Sequence, residues 1–110
     1  MDKLDTCKLE GTGKYILLKM TDLESDAVTF LIRGGTRFLM HKHIFEEVSL
    51  QLEKTHLGAT LEVEGGGFAT FAGKEIRCGG ESQKYGKVTN VKVVRQIVEE
   101  AYPKYVVVME

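Results

Sequence analysis

Among the residues able to do chemistry in this chain, His41 has the most telling position. On a helical wheel of about 100° per residue it lines up with Ile44, Phe45, Val48 and Leu52. It also stands where that helix begins, so its ring borders both the core and a set of main-chain N–H groups without helical partners. Such a helix start attracts anions and disfavours the imidazolium form. A neutral imidazole there can attack a phosphoryl group or take a proton from water. The same position also suits a half-buried histidine that only caps the helix or bonds to a carbonyl. His43 is turned about 200° away on the wheel and is expected in solvent. His56 lies near the helix end, where a cation complements the dipole. With His41 and His43 on different faces and no paired-ligand spacing, no metal site is expected.

A second candidate is the segment 79–89 (GGESQKYGKVT). Glycines at its two ends allow a tight path that aims successive amides at one oxygen. Ser82 adds a hydroxyl donor, and Lys84 and Lys87 add positive charge. The segment is not a nucleotide-binding P-loop: Val88 follows Gly86-Lys87 where Ser or Thr is required. It also fits a plain solvated connection between a strand and a helix. Arg33, at a strand end before Gly34-Gly35, could grip a phosphate with two parallel bonds. Lys14 begins an apolar strand and could present its ammonium at the same sheet edge. The chain has no GxSxG elbow. Neither Cys7 nor Cys78 has an arginine at the spacing of a cysteine phosphatase loop, and the pairs Glu46-Glu47 and Glu99-Glu100 look like solvated helix charge.

The elements that must carry these residues follow from periodicity. Strands are expected over 4–9, 14–20 (KYILLKM) and 27–33 (AVTFLIR), the last stopped by Gly34-Gly35. A helix runs from near His41 to a close at Leu57-Gly58. Residues 60–64 alternate as a strand, Gly65-Gly66-Gly67 makes a turn or bulge, and 68–71 and 75–78 form a hairpin. Asn90 caps a second helix with Val91, Val94, Ile97, Val98 and Ala101 inward, and Pro103 ends it. Residues 104–109 (KYVVVM) close the chain as a strand. The order strands, helix, strands, helix, strand gives an α+β fold: a mixed, mostly antiparallel sheet with two helices packed on it, in a single domain over 1–110.

Composition narrows the partners. The chain has 110 residues, a formal net charge of -1, and 28% charged and 43% hydrophobic residues. That balance gives no general pull toward nucleic acid or an anionic membrane. No apolar run approaches the ~20 residues of a membrane span, and the first residues lack a secretory pattern. A cytoplasmic protein is expected, with Cys7 and Cys78 as reduced thiols. Small size and absent heptads favour a monomer.

Taken in order, these segments resemble the phosphohistidine phosphatase family, also called Janus/Ocnus, from about residue 9 to residue 107. The resemblance rests on Lys14-Tyr15-Ile16-Leu17-Leu18 and Arg33-Gly34, and on Met40-His41-Lys42-His43-Ile44-Phe45-Glu46. It continues through Gly65-Gly66-Gly67, Gly80-Glu81-Ser82-Gln83-Lys84-Tyr85-Gly86 and Ala101-Tyr102-Pro103-Lys104-Tyr105. It implies that His41 is the essential catalytic histidine. Phosphate would be held by Lys14, Arg33, the main chain of Lys42, and Ser82 with the main chain of Gln83 and Lys84. It further implies a phosphatase that needs no metal or other cofactor and acts on a phosphohistidine-containing protein. Glu81 stands where better-known members carry an aromatic residue. That carboxylate favours the alternative, a phosphate-binding regulator without turnover.

Overall fold

The four residues Tyr15, Ile16, Leu17 and Leu18 are all buried, although successive side chains of a strand point to opposite faces. Such a run requires cover on both faces of the sheet, and the two helices supply it. The computed structural model describes residues 5–56 and 58–110. The expected strand start at Leu4 and helix close at Leu57 lie outside them.

In chain order the elements are β1 (Cys7–Glu10), β2 (Gly13–Asp22), β3 (Val28–Gly35), α1 (His41–Thr55), β4 (Ala59–Ala72), β5 (Glu75–Gly79), α2 (Val91–Ala101) and β6 (Val106–Met109). They form a six-stranded sheet of order β1-β3-β2-β4-β5-β6. Its two outer pairs, β1 with β3 and β5 with β6, are parallel, and the three inner pairs are antiparallel. The fold is thus the expected α+β arrangement with a mixed sheet. Ile16, Leu18 and Leu31 meet Ile44, Val48 and Leu52 of α1 on one face. Tyr15, Leu17 and Ile32 meet Val94 and Val98 of α2 on the other.

Some details differ from the sequence expectation or narrow it. Strand β3 does not stop at Gly34-Gly35. It runs through them because they pair with Tyr15 and Lys14. The glycine triplet takes the bulge of its two expected forms, so β4 runs on through it. Ile16 pairs with Gly66 and Leu18 with Val63, so Glu64 and Gly65 together oppose Leu17 as a bulge. Gly65 has φ 123°, a conformation open to glycine and costly for other residues. The last strand is also shorter, since Tyr105 still belongs to a turn closed by its N–H to the Tyr102 carbonyl. Asn90 caps α2 as expected, its side chain accepting from the Val93 N–H. The Tyr102 hydroxyl reaches back to both the N–H and the carbonyl of Leu9, tying the end of α2 to strand β1.

Candidate functional site

Helix α1 begins at His41 without help from a capping side chain. Met40 occupies the cap position, makes no side-chain bond to the first turn, and no acidic residue lies in that turn. Methionine is a poor cap, because it offers no oxygen to the orphan amides. The amide of Lys42 therefore stays available for an acceptor from outside the protein.

His41 itself is 7% exposed. Its Nε2 lies 2.9 Å from the Gly67 carbonyl. A carbonyl only accepts, so Nε2 carries the proton and Nδ1 carries the lone pair. Among the described residues Nδ1 has no protein partner, and no buried side-chain nitrogen or oxygen is left unpaired. Nδ1 is therefore not sealed from solvent, and His41 lines a cavity. Burial lowers the imidazole pKa from its ordinary value near 6.5, the Gly67 hydrogen bond opposes this, and the Lys14 charge lowers it further. The net direction is downward, which keeps a basic nitrogen proton-free at neutral pH.

The cavity has a volume of about 690 Å³ and is walled by three elements. Lys14 comes from β2, His41 and Lys42 from the start of α1, and Glu81, Ser82, Gln83 and Lys84 from the loop after β5. Leu39, Met40 and Phe68 complete the lining. The loop is closed on itself. Ser82 N–H bonds to the Gly86 carbonyl, Gly86 N–H bonds to the Ser82 carbonyl, and Gly66 N–H also reaches Gly86. Ser82 Oγ accepts from the Tyr85 N–H at 3.1 Å, which leaves its own hydrogen free to donate. The Ser82 amide is used inside the loop, whereas the Gln83 and Lys84 amides donate to no acceptor among the described residues.

The structure thus brings Lys14, His41, Lys42, Ser82, Gln83 and Lys84 to one cavity. Arg33 is not among its lining residues. It is 8% exposed, and its guanidinium donates to the carbonyls of Ile32 and Asp5. Those bonds fasten the segment before β1 to β3, and burial lowers its pKa. Lys87 also stands apart, paired through its backbone with Gly66. His43 is half-buried rather than fully in solvent. Glu47 is engaged by Arg37, which also holds Glu10. The sequence reading missed Phe68, Leu39 and Met40 as parts of the site.

Other features offer less. A depression on the outside of α2, lined by Lys92, Arg95, Gln96, Glu99 and Glu100, holds no nucleophile. Burial pushes the Cys78 thiol up to about 11 and the Cys7 thiol up to about 12, so neither forms a thiolate readily. Among the described residues, no group of three or more His, Cys, Asp or Glu side chains is placed to hold a metal ion, and no helix is long and apolar enough to cross a membrane.

One electrostatic relation is open to direct measurement. Replacing Lys14 by Met removes a positive charge beside His41, so the His41 titration midpoint should rise. It should stay below its ordinary value, because burial is the larger cause of the shift. The same change should weaken phosphate binding about tenfold through loss of one charge-assisted hydrogen bond. Ring-resonance NMR titration and calorimetry read the two effects separately.

The family model for the Janus/Ocnus family (Ocnus) matches residues 1–106. No curated protein matches the chain.

Proposed function

Because the chain belongs to the Janus/Ocnus family, we propose that the His41 cavity is the active site of a metal-independent protein phosphohistidine phosphatase. The observation that carries this reading is the open, proton-free Nδ1 of a buried histidine, placed among three lysines and unpartnered amides. Such a set suits a tetrahedral dianion bonded to a leaving group. Lys14, Lys42 and Lys84, with the amides of Lys42, Gln83 and Lys84 and the Ser82 hydroxyl, would oppose the charge on the phosphoryl oxygens. Arg33 has no part in this scheme, since it is buried outside the cavity lining, where two of its donors hold the Ile32 and Asp5 carbonyls.

Two routes use the same nitrogen. In one, Nδ1 attacks phosphorus, the bond from phosphorus to the substrate nitrogen breaks, and water later releases phosphate from His41. In the other, Nδ1 takes a proton from water while the water oxygen attacks and the same bond breaks. In either route the substrate nitrogen leaves with the electron pair of the N–P bond and the ring ends as neutral imidazole, taking a proton from solvent where it lacks one, while any proton gained by His41 returns to solvent. The N–P bond is labile, so electrostatic stabilisation and positioning are the main demands on the protein.

Glu81 favours a second reading, a regulator that binds phosphorylated protein without turning it over, because its carboxylate lines the same cavity. One experiment separates them. The full chain is incubated with a phosphohistidine peptide, with and without a chelator, and released phosphate is measured beside calorimetric phosphate binding. Release that is unaffected by the chelator supports the phosphatase. Binding without release selects the regulator, and neither binding nor release rejects both.

A further inference from the structure

Phe68 is 45% exposed, an unusual state for a phenylalanine on a sheet strand. Its ring is nonetheless held firmly. A Cβ placed on Gly80 would come within 2.9 Å of its Cδ2, which means the ring packs directly on the start of the phosphate loop. The His41 ring meets it edge-on at 5.7 Å between centroids and 82° between planes. The Lys14 ammonium stands 5.3 Å from its centroid, across a register in which Lys14 and Phe68 pair directly. Phe68 therefore packs against His41, Lys14 and Gly80 at the start of the loop, and nearly half of its surface remains open.

Two further exposed apolar side chains border the same cavity, Leu39 at 79% and Met40 at 49%. Inorganic phosphate would gain nothing from them, since a small, strongly hydrated anion makes no favourable contact with apolar surface. A phosphoryl group attached to a flat ring would. The ammonium of Lys14 is drawn to the Phe68 face by the ring quadrupole. An anion bound to that ammonium sits beside the ring, and whatever carries the anion must lie close to Phe68, Leu39 and Met40.

We infer that Phe68 is the specificity determinant of this cavity, receiving the planar ring of the phosphoryl carrier, so that ring-borne phosphoryl groups are selected over those on aliphatic chains. This rests on the reading of the cavity as a phosphoryl site. The residue acts through contact with the leaving group and takes no part in bond making.

The test uses two phosphonates that cannot be hydrolysed, phenylphosphonate and methylphosphonate, titrated by calorimetry into the full chain. Wild type should bind the phenyl compound about tenfold more tightly, the scale of one aromatic contact with its buried area. In Phe68→Ala the ratio should fall to about threefold or less, whatever affinity the two compounds lose in common. Phe68→Tyr should keep the preference. Phe68→Leu retains apolar packing on Gly80 without a ring, and gives the same answer if the alanine variant does not fold. A role limited to positioning His41 and Lys14 would weaken both ligands equally and leave the ratio intact, which overturns the inference. Equal binding of the two compounds by wild type, or binding of neither, also overturns it. If phosphohistidine is still hydrolysed in that case, the phosphatase reading stands alone. A clear ring preference in a protein without turnover would sink the phosphatase and keep the ring site.

Discussion

Replacing His41 by Gln should lower the rate of phosphohistidine hydrolysis by about 10³-fold, within the range for loss of a positioned base and at the low end for loss of a nucleophile. Glutamine is the informative choice because its amide can still donate to the Gly67 carbonyl that Nε2 now holds at 2.9 Å. That keeps the helix start anchored to β4 while removing the basic nitrogen. Phosphate affinity should stay within about threefold, since the charged and amide donors remain. The melting temperature should move little, and alanine at the same site should cost more because it also opens a cavity. Phosphate release at the wild-type rate by the glutamine variant would remove His41 from the mechanism.

The pH dependence has a definite sign. In the proposed mechanism the free base of His41 acts, and burial lowers its pKa from the ordinary value near 6.5. Activity should therefore hold on descending through the ordinary histidine range and fall only at lower pH. Stability moves the same way. The unfolded chain takes up the proton near 6.5, whereas the folded protein resists it. The unfolded state thus binds more protons in the window between the two values, and stability rises with pH across that window. The contribution is fully present above 6.5 and is lost as pH falls toward the folded value. A rate profile whose acid limb lies above 6.5 would contradict the assignment of this histidine.

Helical periodicity alone placed His41 on the inward face of α1. The line of His41, Ile44, Val48 and Leu52 on the wheel is the buried face of α1. The run Tyr15 to Leu18 was legible as a strand, and the structure covers it on both faces with two opposed helices. Arg33 illustrates what local pattern cannot carry. An arginine at a strand end before two glycines suits an anion, yet it lies outside the cavity lining and gives two donors to Ile32 and to Asp5, 28 positions away in sequence. Nothing near residue 33 signals that second partner. Phe68 was hidden for a different reason. Its place opposite Lys14 depends on the bulge that sets two residues of β4 against Leu17. That extra residue changes which face of the strand Phe68 occupies, and a glycine triplet read as a turn or bulge does not fix the phase on its far side.

The same bulge produces the second large effect, at a residue with no side chain. Gly66 lies where the His41 ring, the Ser82 side chain and strand β2 converge. A Cβ built there would stand 2.8 Å from the Tyr15 carbonyl oxygen, 2.9 Å from His41 Cδ2 and 3.2 Å from Ser82 Cβ. The first neighbour is backbone in a central strand and cannot withdraw without loosening the sheet. The second is the His41 ring, held by the Gly67 carbonyl, and the third belongs to a loop closed by its own hydrogen bonds. Gly66→Ala must therefore displace either the strand or both halves of the site. Overpacking of this kind costs about 1–3 kcal/mol, so the protein should still fold at moderate temperature. A shift of about 1 Å in a reacting group can cost roughly 10²-fold in rate, and activity should fall by at least that much while the melting temperature drops only several degrees. Thermal melts, rates and the His41 ring resonances should be recorded on the same samples. A folded Gly66→Ala protein with unaltered ring signals and full turnover would show that the packing beneath the imidazole is not what holds it in place.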